Sequence, residues 1–371
     1  GNPTHDLARV VEQCTAGCQA NGNIPGLTYR SMNWASNYNG AWSWHASGSY
    51  VTGAHNMKVG YNGNYYNHEV QNFNNTTSLQ YRVNNGVPNQ LTELGFNGVR
   101  TKSHTALAAF YVQDQSTFGR LTVQSALRYD RAWSWFPEQT VGPNRFFPNP
   151  LVFPETKGVA SYNDITPRFG AAYDVFGNGK TSVRVNLGKY LEAATNGVNY
   201  TANNPTARIV QSVTRTWTDA NGNFTPDCVL ENPAANGECG AINNPLFGQP
   251  FSFQTLADDV RTGWGKREYN NQWNVQMQQE IRQGLGLAVG YFHTQWANMS
   301  VTRNTRATAA DYNGYCIAAP TDTRLGGNSG QQICGYYDLS PAGVAKGTAL
   351  QITQASKDRK STRLNSSHTD I

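Results

Sequence analysis

The stretch Ile165–Glu192, "ITPRFGAAYDVFGNGKTSVRVNLGKYLE", admits two readings. Its centre, Gly177-Asn178-Gly179-Lys180-Thr181, has the Gly-Lys-Thr ending of a phosphate-binding loop. That motif needs a glycine where the chain has Asp174, and it should open a helix. Instead Thr181–Leu187 is β-branched and alternating. Phe169, Ala171, Tyr173 and Val175 share one face of a predicted strand, and Arg168, Gly170, Ala172 and Asp174 the other. After the turn, Val183, Val185 and Leu187 oppose Ser182, Arg184, Asn186 and Gly188. Period two on both sides of a glycine-rich turn that supplies positive φ angles is the pattern of a hairpin.

The pattern recurs three times. Around a turn at Thr52–Asn56, Trp44, Ala46 and Tyr50 lead into Met57, Val59, Tyr61 and Tyr65, set against Lys58, Gly60, Asn62 and Asn64. After a turn near Ser116–Gly119, Leu121, Val123, Leu127 and Tyr129 oppose Arg120, Thr122, Gln124, Arg128 and Asp130. Around Arg282-Gln283-Gly284, Trp273, Val275, Met277 and Ile281 lead into Leu285, Leu287, Val289 and Tyr291, against Asn274, Gln276, Gln278 and Glu280. Between these hairpins lie long connections, Asn67–His104, Arg131–Asn163 and Ala193–Arg267. Connections of that length without regular structure are rare in compact soluble domains. Strands near ten residues joined alternately by short turns and long loops are the layout of an outer-membrane barrel.

Composition agrees. Of 371 residues only 14% are charged and 38% hydrophobic, while 12% are aromatic and 36 are glycine. Disordered chains are poor in aromatics. A net charge of +5 without a basic cluster in the body gives no nucleic-acid footprint. No apolar run approaches the ~18 residues of a membrane helix, but a transmembrane strand hides its apolar residues by alternation.

The expected fold is all-β, an antiparallel up-and-down transmembrane barrel with long extracellular loops, represented by roughly 8–11 strands. Phe169, Tyr173, Val175, Val183, Val185 and Leu187 are expected to face lipid. Arg128, Arg168, Asp174, Arg184 and Asn186 are expected to face a polar lumen, since a soluble sheet would carry more Lys and Glu there. Tyr129, Trp133, Trp135, Tyr190, Trp273, Tyr291 and Trp296 read as interfacial girdles. The loop Ala193–Arg267 is the expected ligand-contact region, being long and rich in Trp and Asn. The alternative is a secreted all-β glycan-binding or adhesion module, in which the apolar face is a core.

Other motifs are sparse. Asp219, Asn221, Asn223 and Asp227, with Gly222 in the bend, place oxygen ligands at a spacing that suits Ca²⁺, yet the terminal bidentate Glu of an EF-hand is missing. The competing reading is an Asx-rich turn. No other cofactor is suggested. Six Cys form three local pairs, Cys14/Cys18, Cys228/Cys239 and Cys316/Cys334. None has Cys-x-x-Cys spacing, and Cys228–Cys239 is the expected disulfide, implying an oxidising compartment. Seven scattered His share no short motif with one another or with Cys, and no catalytic residue can be named.

Several stretches resemble the barrel of TonB-dependent receptors, specifically the Oar-like branch that carries a carboxypeptidase-regulatory-like domain. They are "YVTGAHNMKVGY" (50–61), "FYVQDQSTFGRLTVQSALRYD" (110–130), "NDITPRFGAAYDVFGNGKTSVRVNLGKY" (163–190), "RTWTDANGNFTPDC" (215–228) with "NGECG" (236–240), and "GWGKREYNNQWNVQMQQEI" (263–281). "LTVQSALRYD" and "TPRFGAAYD" are the most specific. The resemblance implies a Gram-negative outer-membrane receptor and transporter of about 22 strands with an N-terminal plug, energised by TonB. Its partners would be the bilayer, the plug, TonB and a ligand. The sequence shows no plug and no TonB box, and opens at Gly1-Asn2-Pro3 without Met. It therefore reads as an internal slice, with residues 1–357 a partial barrel lacking the C-terminal strands. Residues 358–371, "DRKSTRLNSSHTDI", resemble an in-frame translation of a sequencing adapter and are set apart from the fold.

Overall fold

The computed structural model describes residues 8–15, 17–29, 34–74, 77–95, 99–195, 197–251 and 254–355. The tail 358–371 lies outside the described residues. Contacts divide the chain into two units, Gly1–Ser252 with Arg261–Asn298, and Phe253–Val260 with Met299–Ile371.

The first unit is built on a wall of eight long strands: β1 Trp34–Thr52, β2 His55–Phe73, β3 Val99–Phe118, β4 Leu121–Phe136, β5 Ser161–Asp174, β6 Thr181–Leu191, β7 Tyr269–Arg282 and β8 Leu285–Ala297. Each pairs antiparallel with its neighbour in sequence, and the sheet order follows the chain from β1 to β8. The other edges of β1 and β8 carry no pairing among the described residues, so the wall is a partial barrel. No helix among the described residues is long and apolar enough to cross a membrane, and the strands form the wall.

Register keeps the two faces separate. Val123 faces Ala171, Ala171 faces Val185, Val185 faces Val275 and Val275 faces Tyr291, an apolar row across five strands. One residue along, Gln124, Gly170, Asn186 and Asn274 form a polar row. A slip of one residue would exchange the faces of a strand, so the alternation itself specifies the register.

The strands are longer than the alternation alone predicts. β2 runs on through Phe73 and β3 starts at Val99, so the first long connection shrinks to 74–98. The second shrinks to 137–160. The hairpin turns tighten as well: β3 continues to Phe118, leaving Gly119 and Arg120 as the turn.

The Ile165–Glu192 hairpin shows how a short turn is held. β5 ends at Asp174 and β6 begins at Thr181. Gly177 and Gly179 both adopt φ of 72°. The Asp174 carboxylate accepts the Gly177 N–H at 3.0 Å and the Gly179 N–H at 2.9 Å. This corrects two expectations. Asp174 has polar-face register opposite Ser182, but its carboxylate is committed to the turn. Val175 lies past the strand end, where its N–H donates to the Thr181 carbonyl at 3.0 Å, and so it belongs to the turn rather than to the apolar face.

The connections carry structure of their own. Strands Arg9–Glu12, Thr28–Tyr29, Leu79–Asn84, Val87–Leu94 and Ser212–Thr216 form a separate five-stranded sheet. Its hairpin turns at Asn85-Gly86, with φ of 53° and 81°, as a two-residue turn with positive angles requires. Leu79, Leu91, Leu230 and Trp217 form its core. Cys228 is bonded to Cys239 beside that core, with Cα atoms 5.9 Å apart. Arg215 and Glu93 pair inside the sheet at 3.1 Å, both side chains almost fully buried. Burial pushes the Glu93 carboxyl up to about 7 against the opposing pull of Arg215.

In the second unit, Gln254–Leu256, Leu350–Gln354 and Ser300–Asn304 form a three-stranded sheet. A hairpin of Tyr312–Ala318 and Gln332–Leu339 is clamped by Cys316–Cys334. Lys346 pairs with Asp311 at 2.6 Å and holds that carboxyl down to about 2.

Asp174→Ala removes both turn acceptors and is expected to cost about 1 kcal/mol of barrel stability, read as an earlier urea midpoint by tryptophan fluorescence. An unchanged midpoint contradicts the capping role. For Glu93, the folded state holds a proton more tightly than the unfolded chain, whose ordinary value is 4.5. Stability of the five-stranded sheet should therefore fall as pH rises between these two values. Hydrogen-exchange protection of Leu79–Leu94, corrected for intrinsic rates, is expected to be higher at about pH 5 than at about pH 7.5, and Glu93→Gln should flatten the difference. Protection that rises toward neutral pH contradicts the sign.

Candidate functional site: the polar face and its outer cover

Alternation across the eight strands gives the wall one apolar and one polar surface. The apolar surface is uncovered. Val59, Phe110, Leu187, Val275 and Val289 are all between 41% and 63% exposed. A soluble sandwich would bury this surface under a second sheet, and among the described residues none packs there. Exposed apolar area on this scale marks contact with another apolar phase.

Aromatic rings collect at a fixed height on the same surface. The Trp42 and Tyr65 rings meet at a tilt, 5.4 Å apart, and Tyr65 also meets His104 and Trp135, at 5.7 and 6.0 Å. Trp42 stands ten residues above the turn-end residue Thr52, and Tyr65 ten above His55. At ~3.3 Å per residue and a tilt of ~40°, that is a rise of about 25 Å, the height of an outer-membrane apolar band. Tyr129, Trp133, Trp273 and Tyr291 share this face by register. Tyr190 and Trp296 do not. They face Asn270 from either side, on the polar surface, so they are not girdle residues.

The polar surface is open near the short turns and, on β6 and β8, as far as Tyr190 and Trp296. There Arg168 lies over the Tyr190 ring at 4.6 Å, and the Asn186 amide donates to Asn274 at 3.0 Å. Arg184 stands between Ala172 and Gln276 in register and is exposed. Arg128 is not free: its guanidinium grips Asp130 through Nε, at 3.0 Å to each oxygen, and through Nη2 at 2.9 Å.

Over β3, β4 and β5 the half near the long connections is covered. Leu107, Ala109, Ala132 and Tyr162 on the polar surface pack with Val159, Ala194 and Tyr200 from the connections. Asp164 is buried beside Lys189, 3.9 Å away.

One expectation about the loops changes, and one motif takes a definite local form. Trp217, in the expected ligand-contact loop, is only 1% exposed and packs on Tyr81 at 4.8 Å, so it serves the core of the five-stranded sheet. Asp219, Asn221, Asn223 and Asp227 do converge, but on the N–H groups of their own loop. Asp219 accepts from the Asn223 and Phe224 backbone at 3.1 Å each. Asp227 accepts from the Asn221 and Asn223 amides at 2.6 and 3.0 Å. That is an Asx-turn arrangement, in which the carboxylates hold the bend of their own loop.

One constellation is invisible in the sequence spacing. Strand register places His55 opposite Ser116, next to Asp114. The His55 Nδ1 lies 2.7 Å from Asp114 Oδ2 and 3.0 Å from Ser116 Oγ, which itself donates to Asp114 at 2.6 Å. A catalytic relay needs the two ring nitrogens to face different partners. Here one nitrogen faces both, so the group is a polar tie at the short-turn end of β2 and β3.

The comparisons with known proteins follow the geometry. No curated protein matches the chain. Among solved structures, the outer membrane transporter YddB from Escherichia coli is similar at 13% identity with a TM-score of 0.48, over 82% of this chain and 31% of that one. The chain thus spans about a third of that transporter's length. The outer membrane beta barrel domain family matches residues 13–369, nearly the whole sequence. An up-and-down wall with an uncovered apolar face, an aromatic belt and a polar opposite face is what that match requires. The chain belongs to the outer membrane beta-barrel domain family, and its place is the outer membrane.

Proposed function

We propose that this wall is part of a TonB-dependent receptor that captures a ligand with its outer connections and passes it through a polar lumen. The observation that carries the reading is the pair of unlike faces maintained in register over eight strands. A wall that is apolar outside and lined with Arg, Asn, Gln and Gly inside suits a passage for polar solutes. On this reading Arg128, Arg168, Arg184 and Asn186 line the lumen, with Asp174 at its periplasmic rim. Phe169, Tyr173, Val183, Val185 and Leu187 meet lipid. The five-stranded sheet, with its disulfide, is a preformed extracellular platform for ligand contact. Dependence on TonB is supported by the likeness of the hairpin sequences to TonB-dependent receptors, above all "LTVQSALRYD" and "TPRFGAAYD". No catalytic role is proposed.

The test is binding of the full-length receptor, purified in detergent, to the periplasmic domain of TonB by isothermal titration calorimetry. Saturable one-to-one binding is the expected result. A folded receptor, shown by heat-modifiable gel mobility, that gives no heat with TonB contradicts the active-transport reading and leaves a passive or structural barrel.

A further inference from the structure

Where β4 ends at Phe136, the upper part of β3 loses its ladder partner on that side. Polar side chains from the connections take the ladder's place. The Gln139 carboxamide oxygen accepts the Lys102 N–H at 2.6 Å. The Asn204 amide donates to the Lys102 carbonyl at 2.9 Å and to Ser103 Oγ at 3.3 Å. Gln139 and Asn204 are themselves joined at 3.1 Å, and the Thr206 hydroxyl closes the set by donating to Gln139 at 3.2 Å. The side chains that make this network are buried: Ser103 and Gln139 are 4% exposed, Asn204 3% and Thr206 0%. A fully satisfied buried network is costly to break, because each group left behind lacks water.

The segment so held is 197–211. It contains a helical turn, Val198–Thr201, and a tighter turn, Pro205–Ala207, whose Asn204 cap accepts the Thr206 N–H. Its near end is tied to β4 by the Ser134 hydroxyl, which donates to the Tyr200 carbonyl at 2.9 Å. Its far end is tied beyond the wall, where Gln211 accepts the Gly95 N–H at 2.7 Å. Between the ties it covers the polar surface of β3 and β4, and Ala132 beneath it is 0% exposed.

We propose that residues 197–211 are a fixed strap that narrows the outer mouth of the lumen, locked to the wall by Gln139 and Asn204. Solute passes beside the strap, over the open surface carrying Arg168, Arg184 and Asn186. The strap therefore sets which sizes enter. This rests on the reading that the polar face lines the lumen.

The experiment uses the full-length receptor in intact outer membranes, with a membrane-impermeant maleimide added from outside. Ala132→Cys reports the surface under the strap, and Asn186→Cys the open surface. With the strap locked, Asn186→Cys should label and Ala132→Cys should not. In the Gln139→Ala/Asn204→Ala background, labelling of Ala132→Cys should rise about tenfold or more while Asn186→Cys stays unchanged. Heat-modifiable mobility shows that the barrel is folded. If the double variant does not fold, Asn204→Asp, which keeps the size and removes the amide donors, is measured instead. Ala132→Cys that labels with the strap locked, or stays silent once it is unlocked, overturns the strap. Asn186→Cys that reacts with a lipid-soluble maleimide but not with the impermeant one, in either background, overturns the lumen reading instead.

Discussion

Hydrocarbon offers no partner to a backbone N–H or C=O, and the rest of this structure depends on that fact. A strand can cross the bilayer only when a neighbour satisfies its ladder. The chain meets the requirement with the simplest topology available, each strand hydrogen-bonded to the next in sequence from β1 to β8. Once the ladder fixes the pairing, strict alternation decides everything about the faces. Val185 and Asn186 are adjacent in sequence, yet their register neighbours are Val275 and Asn274, and the two environments never mix. Such consistency across strands specifies one register and rejects its slipped alternatives.

Away from the hydrocarbon the same backbone groups still need partners, and the solutions become irregular. At the short turns a carboxylate serves, as Asp174 does for Gly177 and Gly179. At the outer end, buried carboxamides replace the missing strand, as Gln139 and Asn204 do, and the Ser134 hydroxyl accepts the Val159 N–H of a connection. The abundance of Asn in this chain thus has a structural cause. A short amide can satisfy both a donor and an acceptor of a backbone that has left its ladder.

The hairpins and their faces were legible in the sequence because period two is a local signal. The wall at Ile165–Glu192 could be read from its own residues. The strand ends could not. Near Asn67-His68-Glu69 and Thr101–Ser103 both faces turn polar, so alternation fades although the ladder continues. The five-stranded sheet was partly legible. Asn85-Gly86 is a strong hairpin signal and Leu79–Asn84 alternates, but Val87–Leu94 carries polar residues on both faces. Trp217 looked like a ligand contact because loop aromatics often are, and only packing on Tyr81 reveals it as core. The polar tie of His55, Asp114 and Ser116 and the Gln139–Asn204 lock join residues about 60 positions apart, and no spacing rule reaches them.

The central claim is that alternate residues of one strand meet lipid and water. Nitroxide labels at Val183, Arg184, Val185 and Asn186, introduced one at a time into the full-length receptor in lipid bilayers, test it most directly. Collision with oxygen, which concentrates in lipid, is compared with collision with a water-soluble nickel complex. The account predicts a high oxygen-to-nickel ratio at 183 and 185 and a low one at 184 and 186. A ratio without the two-residue period, or with its phase reversed, would contradict it.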